Sequence, residues 1–219
     1  TISSYSTPNF GDEFDDSYFF NIIKYKDINF SKKSLYNGSF PGIDFNGSTS
    51  EIRLGHDDKF NFNKNDDFTI TLNTLVSHSS DETSYLISKS TTKTVIPTPN
   101  EGTAGRYNTQ TTGALQPKDT FSAPQFPFEV YATGQELFFR RSDGNITTTI
   151  SSSFTTGSMQ HVSCRVLSSE MKIYINGIAS GSIATDQSVN QTQNQANIYI
   201  GNKGGTSNFL TGSLSQINI

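Results

Sequence analysis

The clearest pattern along the chain is an alternation of apolar and polar residues over short segments. Residues 68–72, Phe-Thr-Ile-Thr-Leu, and residues 172–175, Lys-Ile-Tyr-Ile, both repeat with a period of two. This period predicts β-strands that place one face on a core and the other toward solvent. No segment shows the 3.6-residue period of an amphipathic helix. We therefore expect an all-β protein.

More segments of this kind are bounded by Gly, Asn, Asp and Pro, which favour turns. The predicted strands are residues 43–45, 51–54, 68–76, 85–89, 128–133, 136–141, 147–152, 161–167, 172–175, 196–200 and 211–219. Three turn signals, Asn176-Gly177, Thr133-Gly134 and Asp143-Gly144, join neighbouring strands into hairpins. Consecutive hairpins predict an antiparallel meander.

Three segments carry a Phe-x-Gly edge, a Tyr-x-Asn-Gly hairpin and an Ile-Gly turn in a fixed order. They are residues 43–54 (IDFNGSTSEIRL), 155–178 (TTGSMQHVSCRVLSSEMKIYINGI) and 198–219 (IYIGNKGGTSNFLTGSLSQINI). Together they resemble the laminin-G-like, concanavalin-A-like jelly-roll family. The resemblance implies a two-sheet antiparallel sandwich, and the alternation within the strands agrees with it. The residues expected to line its core include Phe45, Phe68, Ile70, Val162, Tyr174 and Ile200.

The expected organisation is an N-terminal arm at residues 1–40 and a jelly-roll domain at residues 41–219. A long loop insertion interrupts the domain at residues 90–127. Its prolines are Pro97, Pro99, Pro117, Pro124 and Pro127, which make it too Pro-rich for a central strand. Loops of this length are usually functional or disordered. Two interpretations stay open, an insertion that docks on another surface and a mobile loop.

The arm is acidic at first and then aromatic. Its sequence STPNFGDEFDDSYFFNIIKYK is similar to the N-terminal arms of tailed-phage virion proteins. The aromatic and aliphatic cluster is too apolar to stay exposed, so we expect it to be buried within this chain or against a partner. The expected partner-binding residues are Phe14, Tyr18, Phe19, Phe20, Ile22 and Ile23.

Composition excludes several classes of partner. The 219 residues include 16 basic and 20 acidic ones, a formal charge of −4, and no basic stripe that would bind nucleic acid. No apolar run approaches the roughly 20 residues of a membrane span. The single cysteine, Cys164, cannot form an internal disulfide and is expected in the core.

No catalytic motif is complete, so we do not expect an enzyme. Glycosidases need two carboxylates that flank the scissile bond, and Glu13-Phe14-Asp15 in the arm is the only approach to such spacing. No Gly-x-Ser-x-Gly elbow accompanies His56, His78 and His161, which argues against a serine hydrolase.

No cofactor is expected, although calcium stays open as an alternative. The acidic pairs Asp57-Asp58, Asp66-Asp67 and Asp81-Glu82 have the oxygen ligands that calcium prefers. The same residues also serve as ordinary turn formers.

A glycan site would combine aromatic platforms with amide or carboxylate groups. Tyr107, Tyr131, Asn202 and Asn208 are the candidate rim residues for such a site. Exposed Tyr and Asn are also common on the loops of any β-sandwich.

The main hypothesis is a non-catalytic structural or adhesion module of a phage virion, a capsid decoration or tail protein. It would contact other virion subunits or further copies of itself, and the arm would supply the contacts. The alternative is a lectin-like glycan-binding module for host or cell-surface attachment, which would be secreted or on the cell surface. A glycoside hydrolase is the least favoured hypothesis.

Overall fold

The computed structural model describes residues 22–26, 29–31, 42–63, 65–78, 81–95, 121–144, 146–187 and 194–219. For residues 22–26, 29–31, 91–95 and 121–124 the description covers the backbone alone. The strands, in chain order, are β1 Ile22–Lys26, β2 Asn29–Ser31, β3 Gly42–Asn46, β4 Glu51–Leu54, β5 Phe68–Val76, β6 Thr83–Ser88, β7 Thr91–Val95, β8 Phe121–Thr133, β9 Glu136–Asp143, β10 Thr147–Ser153, β11 Gln160–Leu167, β12 Glu170–Ile175, β13 Ile178–Thr185, β14 Ile198–Ile200 and β15 Thr211–Asn218. A short 3-10 helix covers Asp58–Phe60. In these parts of the chain no helix is long and apolar enough to cross a bilayer.

The strands form two antiparallel sheets that stack face to face. The eight-stranded sheet has the order β1-β4-β14-β6-β8-β9-β10, and β7 pairs with β8 beside this path. The seven-stranded sheet has the order β13-β12-β11-β5-β15-β3-β2. The predicted all-β, two-sheet antiparallel jelly-roll sandwich is therefore confirmed.

Alternating residues of the two sheets form the core between them. Phe128, Val130 and Ala132 of β8 point inward and are fully buried, as expected from the period of two. The ring of Phe68 on β5 meets the ring of Phe128 at a centroid distance of 6.4 Å and that of Phe139 at 6.2 Å. The chain has no Trp, so phenylalanine supplies much of the large apolar surface.

Tyr174 was expected in the core, and this prediction is wrong. Met171 and Ile173 are the residues of β12 that are buried between the sheets, so Tyr174 lies on the outer face. There the guanidinium of Arg165 lies over its ring, 5.3 Å from the centroid. The other expected core residues, Phe45, Phe68, Ile70, Val162 and Ile200, are all buried.

All three predicted hairpins form, since β12–β13, β8–β9 and β9–β10 are antiparallel pairs. Asn176 and Gly177 have φ of 51° and 81°, which is the left-handed backbone of a primed two-residue turn. The second hairpin turns at Gly134, with φ of 56°, and Gln135. That turn lies one residue later than the predicted Thr133-Gly134.

Both regions that were expected to be irregular contain strands. Within residues 1–40, β1 pairs with β4 and β2 pairs with β3, so they lie at the ends of the two sheets. Residues 90–127 were expected to be too Pro-rich for a central strand, yet β7 and the first part of β8 lie at the two ends of that segment. Pro124 faces β7, which lies off the main path, and Pro127 falls where the β8–β9 register shifts. Edges and bulges tolerate a residue without an N–H. The boundaries of the arm, the domain and the insertion stay predictions.

Candidate functional site

The outer face of the eight-stranded sheet carries aromatic and charged side chains in register. On β8, Phe128 and Val130 face the core, so Glu129 and Tyr131 face outward. The pairing of the strands extends this outward row from β4 to β10. In order across the strands, its members are Arg53, Tyr199, Ser88, Glu129, Arg140 and Thr149.

Three rings form a stack on this face, which we call the aromatic stack: Tyr85 on β6, Tyr131 on β8 and Phe138 on β9. The centroids of Tyr85 and Tyr131 are 4.8 Å apart with planes at 16°, and those of Tyr131 and Phe138 are 5.0 Å apart at 10°. Neighbouring strands are also about 4.8 Å apart, so the rings stand upright on the sheet. Tyr85 is buried at one end, whereas Phe138 is half-buried at the other.

Arg140 lies across the aromatic stack and is held by it. Its Nε donates to Oε2 of Glu129 at 2.6 Å, and its Nη2 donates to the hydroxyl of Tyr85 at 2.9 Å. The guanidinium carbon lies 5.0 Å from the ring centroid of Tyr131 and 4.9 Å from that of Phe126. Burial disfavours its charge, but the Glu129 carboxylate outweighs burial and raises the pKa of Arg140. About a quarter of the side chain, 24%, stays exposed.

Glu129 is completely buried although it lies on the outer face. Its Oε2 binds Arg140, whereas its Oε1 accepts no hydrogen bond. A buried oxygen without a donor is unfavourable by about 1–3 kcal/mol, and such an atom calls for a functional or structural explanation.

The tyrosine hydroxyls of the stack stay protonated. Burial, reinforced by the charge of Glu129, raises the pKa of Tyr85. Burial also raises the pKa of Tyr131. Both side chains are therefore hydrogen-bond donors at neutral pH.

The four residues predicted for a glycan site lie in different environments. Tyr131 is the middle ring of the aromatic stack. Asn208 is exposed on the loop before β15, and its carbonyl accepts the N–H of Tyr85 at 3.0 Å. Tyr107 lies outside the described residues.

Asn202 was expected on the rim, but its side chain is fully buried. Its Oδ1 accepts the N–H of Gly205 at 2.6 Å, and its Nδ2 donates to Oε2 of Glu51 at 3.4 Å. The amide therefore shapes its own loop and does not present a polar group to a ligand.

Three members of this face, Glu129, Phe138 and Arg140, were not predicted. The sequence feature that could have identified them is the two-residue turn Gly134-Gln135, which fixes the register of the β8–β9 hairpin. A two-residue turn pairs Thr133 with Glu136, and counting back along both strands brings these three side chains and Tyr131 onto one face.

The expected partner-binding residues are not tested by the described structure. Phe14, Tyr18, Phe19 and Phe20 lie outside the described residues. Ile22 and Ile23 belong to β1, of which the backbone alone is described.

Three of the acidic residues considered for calcium accept backbone hydrogen bonds, two of them within local turns. Asp57 accepts the N–H of Lys59 at 2.9 Å, and Asp66 accepts that of Asn63 at 2.8 Å. Asp67 accepts the N–H of Ser168 at 2.6 Å. Among the described residues, no three His, Cys, Asp or Glu side chains come close enough together to hold a metal ion.

The side chains of His78 and His56 are bonded within the fold. His78 bonds to the hydroxyl of Ser84 at 2.8 Å and to the carbonyl of Gly134 at 3.1 Å. Nδ1 of His56 lies 3.2 Å from Nζ of Lys89, and because an ammonium donates, that nitrogen is the acceptor. Nε2 of His56 then carries the proton and donates to Asp58 at 3.1 Å.

Lys89 is fully buried at the end of β6. Its Nζ donates to the carbonyls of Asn194 at 3.2 Å and Ala196 at 3.0 Å, which fixes the segment before β14. Burial lowers the pKa of Lys89 to about 8, against the partial opposition of Asp58 and Asp57.

Comparison with known proteins gives a family model and several similar folds. The model described as "Concanavalin A-like lectin/glucanases superfamily" matches residues 46–219. No curated protein is similar to the chain at a significant level. A solved structure of the Ruminococcus gnavus IT-sialidase CBM40 bound to α2,3-sialyllactose shares 15% identity and a TM-score of 0.52, over 80% of this chain and 88% of that one.

The binding domain of botulinum neurotoxin serotype G is similar with a TM-score of 0.56 and 12% identity, over 89% of this chain. The receptor binding domain of botulinum neurotoxin D is similar with a TM-score of 0.53 and 10% identity, over 88%. The matches span 41% and 43% of those two domains. At these identities the likeness shows the fold alone.

Proposed function

The chain belongs to the concanavalin A-like lectin/glucanase superfamily, and from this premise we propose that it is a non-catalytic module that binds glycans. The binding surface is the part of the outer face of the eight-stranded sheet where Tyr131, Phe138 and Arg140 keep some exposure. The observation that carries the proposal is the aromatic stack together with the Arg140–Glu129 pair. Aromatic surface beside a few fixed polar groups is what sugar recognition requires.

The polar groups on this face are oriented before any ligand arrives. Arg140 is fixed from one side by Glu129 and from beneath by the rings of Tyr131 and Phe126. Two of its five N–H groups are used by Glu129 and Tyr85. Such preorganisation lowers the entropy that binding must cost.

The spacing of acidic residues supports binding rather than hydrolysis. Glycosidases of either stereochemical type keep their carboxyl groups within about 9.5 Å of each other. Glu51 lies three strands from Glu129, or about 14 Å. Glu136 lies four residues along β9 from Arg140, the residue paired with Glu129, so its backbone is about 13 Å from that of Glu129. Both backbone separations exceed the spacing of the carboxyl groups in a two-carboxylate mechanism.

A similar fold that binds sugar adds support. The CBM40 domain is described as bound to α2,3-sialyllactose, and the neurotoxin domains are described as receptor binding. The match to the CBM40 domain spans 88% of that chain, and we extend its sugar binding to this chain as part of the proposal. A location at a cell surface or on a secreted or viral particle is part of the same proposal.

The proposal is tested by a glycan array probed with the whole chain in the presence of calcium and of a chelator. We expect saturable binding to one class of sugar, unchanged by the chelator. Incubation of the bound sugar with the protein should release no reducing ends. Release of reducing ends that depends on Glu129 would show instead that the chain is a glycosidase.

A second function, subunit contact within a virion, is favoured by one observation. β1 ends the eight-stranded sheet and β2 ends the seven-stranded sheet, so the N-terminal residues lead directly into sheet edges. Extended segments at such edges commonly pair with a neighbouring subunit. The native mass of the chain with residues 1–21 deleted tests this idea. A deletion variant with an unchanged native mass would rule out the arm as an assembly element.

A further inference from the structure

We propose that the bound sugar stacks on the outward face of the Phe138 ring above β10, and that it is a neutral pyranose rather than an acidic sugar. This inference rests on the proposed glycan-binding function. It adds the position of the ligand and its chemical class.

The first step is the orientation of Phe138. Its ring is nearly parallel to that of Tyr131, and both rings stand upright on the sheet. One face of Phe138 is therefore covered by Tyr131, while the other points toward β10, the last strand of the sheet. The residue paired with Phe138 on that strand is Ser151, which is too small to cover a ring.

The second step is the surface beneath that open face. The outward residues of β10 are Thr149, Ser151 and Ser153, which leave the side of the ring open and supply hydroxyl groups. None of these three hydroxyls bonds to a described residue. A pyranose that lies flat against Phe138 would have its ring hydroxyls within reach of this row.

The third step is the rigidity of β10, whose free edge is held by β13. Oγ of Ser182 accepts the N–H of Ser151 at 3.0 Å and donates to its carbonyl at 3.3 Å. Oγ of Ser152 donates to Oγ of Ser180 at 2.7 Å. At Gly181 an added Cβ would lie 2.0 Å from the carbonyl oxygen of Ser151, so only glycine permits this approach. The floor of the site is thus fixed from its far side.

The fourth step is charge. The positive charge of Arg140 is already paired with Glu129. Oε1 of Glu129 has no donor, and Glu136 is exposed on the same strand as Phe138. Lys203 lies over the ring of Tyr85 at the far end of the stack, so the described charges that flank Phe138 are those of Glu129, Glu136 and Arg140. Their sum is negative, which opposes a carboxylate on the ligand. The exposed carboxylate of Glu136, in contrast, is an acceptor for a sugar hydroxyl. This chemistry differs from that of the CBM40 domain, whose ligand is the acidic sialyllactose.

The test uses a glycan array of matched oligosaccharides, each present with and without a terminal sialic acid. The proteins are the wild type and the variants Phe138→Leu and Phe138→Tyr. Tyr174→Leu is the matched control, because it removes a half-exposed ring from the outer face of the other sheet. Thermal unfolding of each variant shows whether the fold is retained.

We expect the neutral member of a pair to bind at least about fivefold more tightly than its sialylated partner. Phe138→Leu should lose about tenfold in affinity, whereas Phe138→Tyr and Tyr174→Leu should bind like the wild type. Equal or tighter binding of sialylated partners would overturn the neutral class. Neutral binding that Phe138→Leu leaves unchanged would overturn the position. Absence of binding to every glycan would instead overturn the proposed function itself.

Discussion

Arg140 and Arg141 are neighbours in the chain, but their guanidinium groups lie on opposite faces of the same sheet. Arg140 faces outward, pairs with Glu129 at 2.6 Å and keeps 24% of its side chain exposed. Arg141 faces the interior, pairs with the equally buried Asp186 and lies over the ring of Phe68. The period of two in β9 thus separates a guanidinium that can meet a ligand from one that holds the fold together.

The Arg140–Glu129 pair should be costly to break from one side. Arg140→Met leaves the Glu129 carboxylate buried and unpaired, so we expect a loss of about 3 kcal/mol in the free energy of unfolding. Replacing both residues, with Arg140→Met and Glu129→Gln, should recover part of that loss. Urea denaturation of the two single variants and the double variant measures this coupling. A double variant whose loss equals the sum of the single losses would show that the two residues act independently.

Arg141 should matter more for stability, because its pair is fully buried. Its Nε donates to the carbonyl of Pro127 at 2.8 Å, and its Nη2 donates to the carbonyl of Phe62. We expect Arg141→Met to destabilise the fold by about 3–5 kcal/mol. Arg141→Lys should not rescue it, since one ammonium cannot replace the planar fork of donors. Recovery of wild-type thermal stability by the lysine variant would contradict this role.

Lys89 predicts a specific dependence of stability on pH. Its pKa in the fold is about 8, below the ordinary value of 10.5. Between these two pH values Lys89 binds more protons in the unfolded chain than in the folded one. The free energy of unfolding therefore increases as pH rises through this window. The increase is lost as pH falls through 8. Cys164 acts in the opposite direction above its ordinary pKa, because burial raises the pKa of its thiol.

The contribution of Lys89 is isolated by comparison with Lys89→Met. The unfolding free energy of the wild type minus that of the variant should become more positive from pH 7.5 to pH 9.5. Cys164 is common to both proteins, so its contribution cancels in this difference. Urea denaturation at several pH values provides the measurement. Parallel pH curves for the two proteins would show that the Lys89 pKa is not lowered in the fold.

Cys164 should be unreactive in the folded protein. Its thiol is fully buried between the sheets, and burial raises its pKa, so little thiolate forms. We expect a thiol reagent to modify Cys164 at least about a thousandfold more slowly in the folded protein than in urea. The reason is that the unfolded state, in which the thiol is accessible, has a very small population under native conditions. Stoichiometric labelling under native conditions at comparable rates would mean that β11 is exposed.

The strands could be predicted from the sequence because alternation is a local property. Hairpins such as that at Asn176-Gly177 follow from turn residues alone. The phase of a strand is harder, and Tyr174 was placed in the core because the Lys-Ile-Tyr-Ile segment does not reveal which face is inward. Met171, just before that segment, settles the phase, since it is buried with Ile173.

The candidate site could be predicted only in part. Tyr131 was expected to contact a glycan, but its stacking with Tyr85 depends on the pairing of β6 with β8, strands that are distant in sequence. Sheet order is set by long-range contacts, which a single sequence does not display. Asn202 was misplaced for a related reason, because a loop amide that satisfies its own backbone has the same composition as an exposed one.

The most direct measurement is the side-chain Nε–H resonance of Arg140 in a titration with the oligosaccharide that binds best on the array. A ligand on the aromatic stack must change the surroundings of this group, which is held at 2.6 Å from Glu129. We predict saturable shifts of the Arg140 resonance and of β8, β9 and β10, with one dissociation constant. Saturable binding that moves resonances elsewhere and leaves Arg140 unchanged would contradict the account.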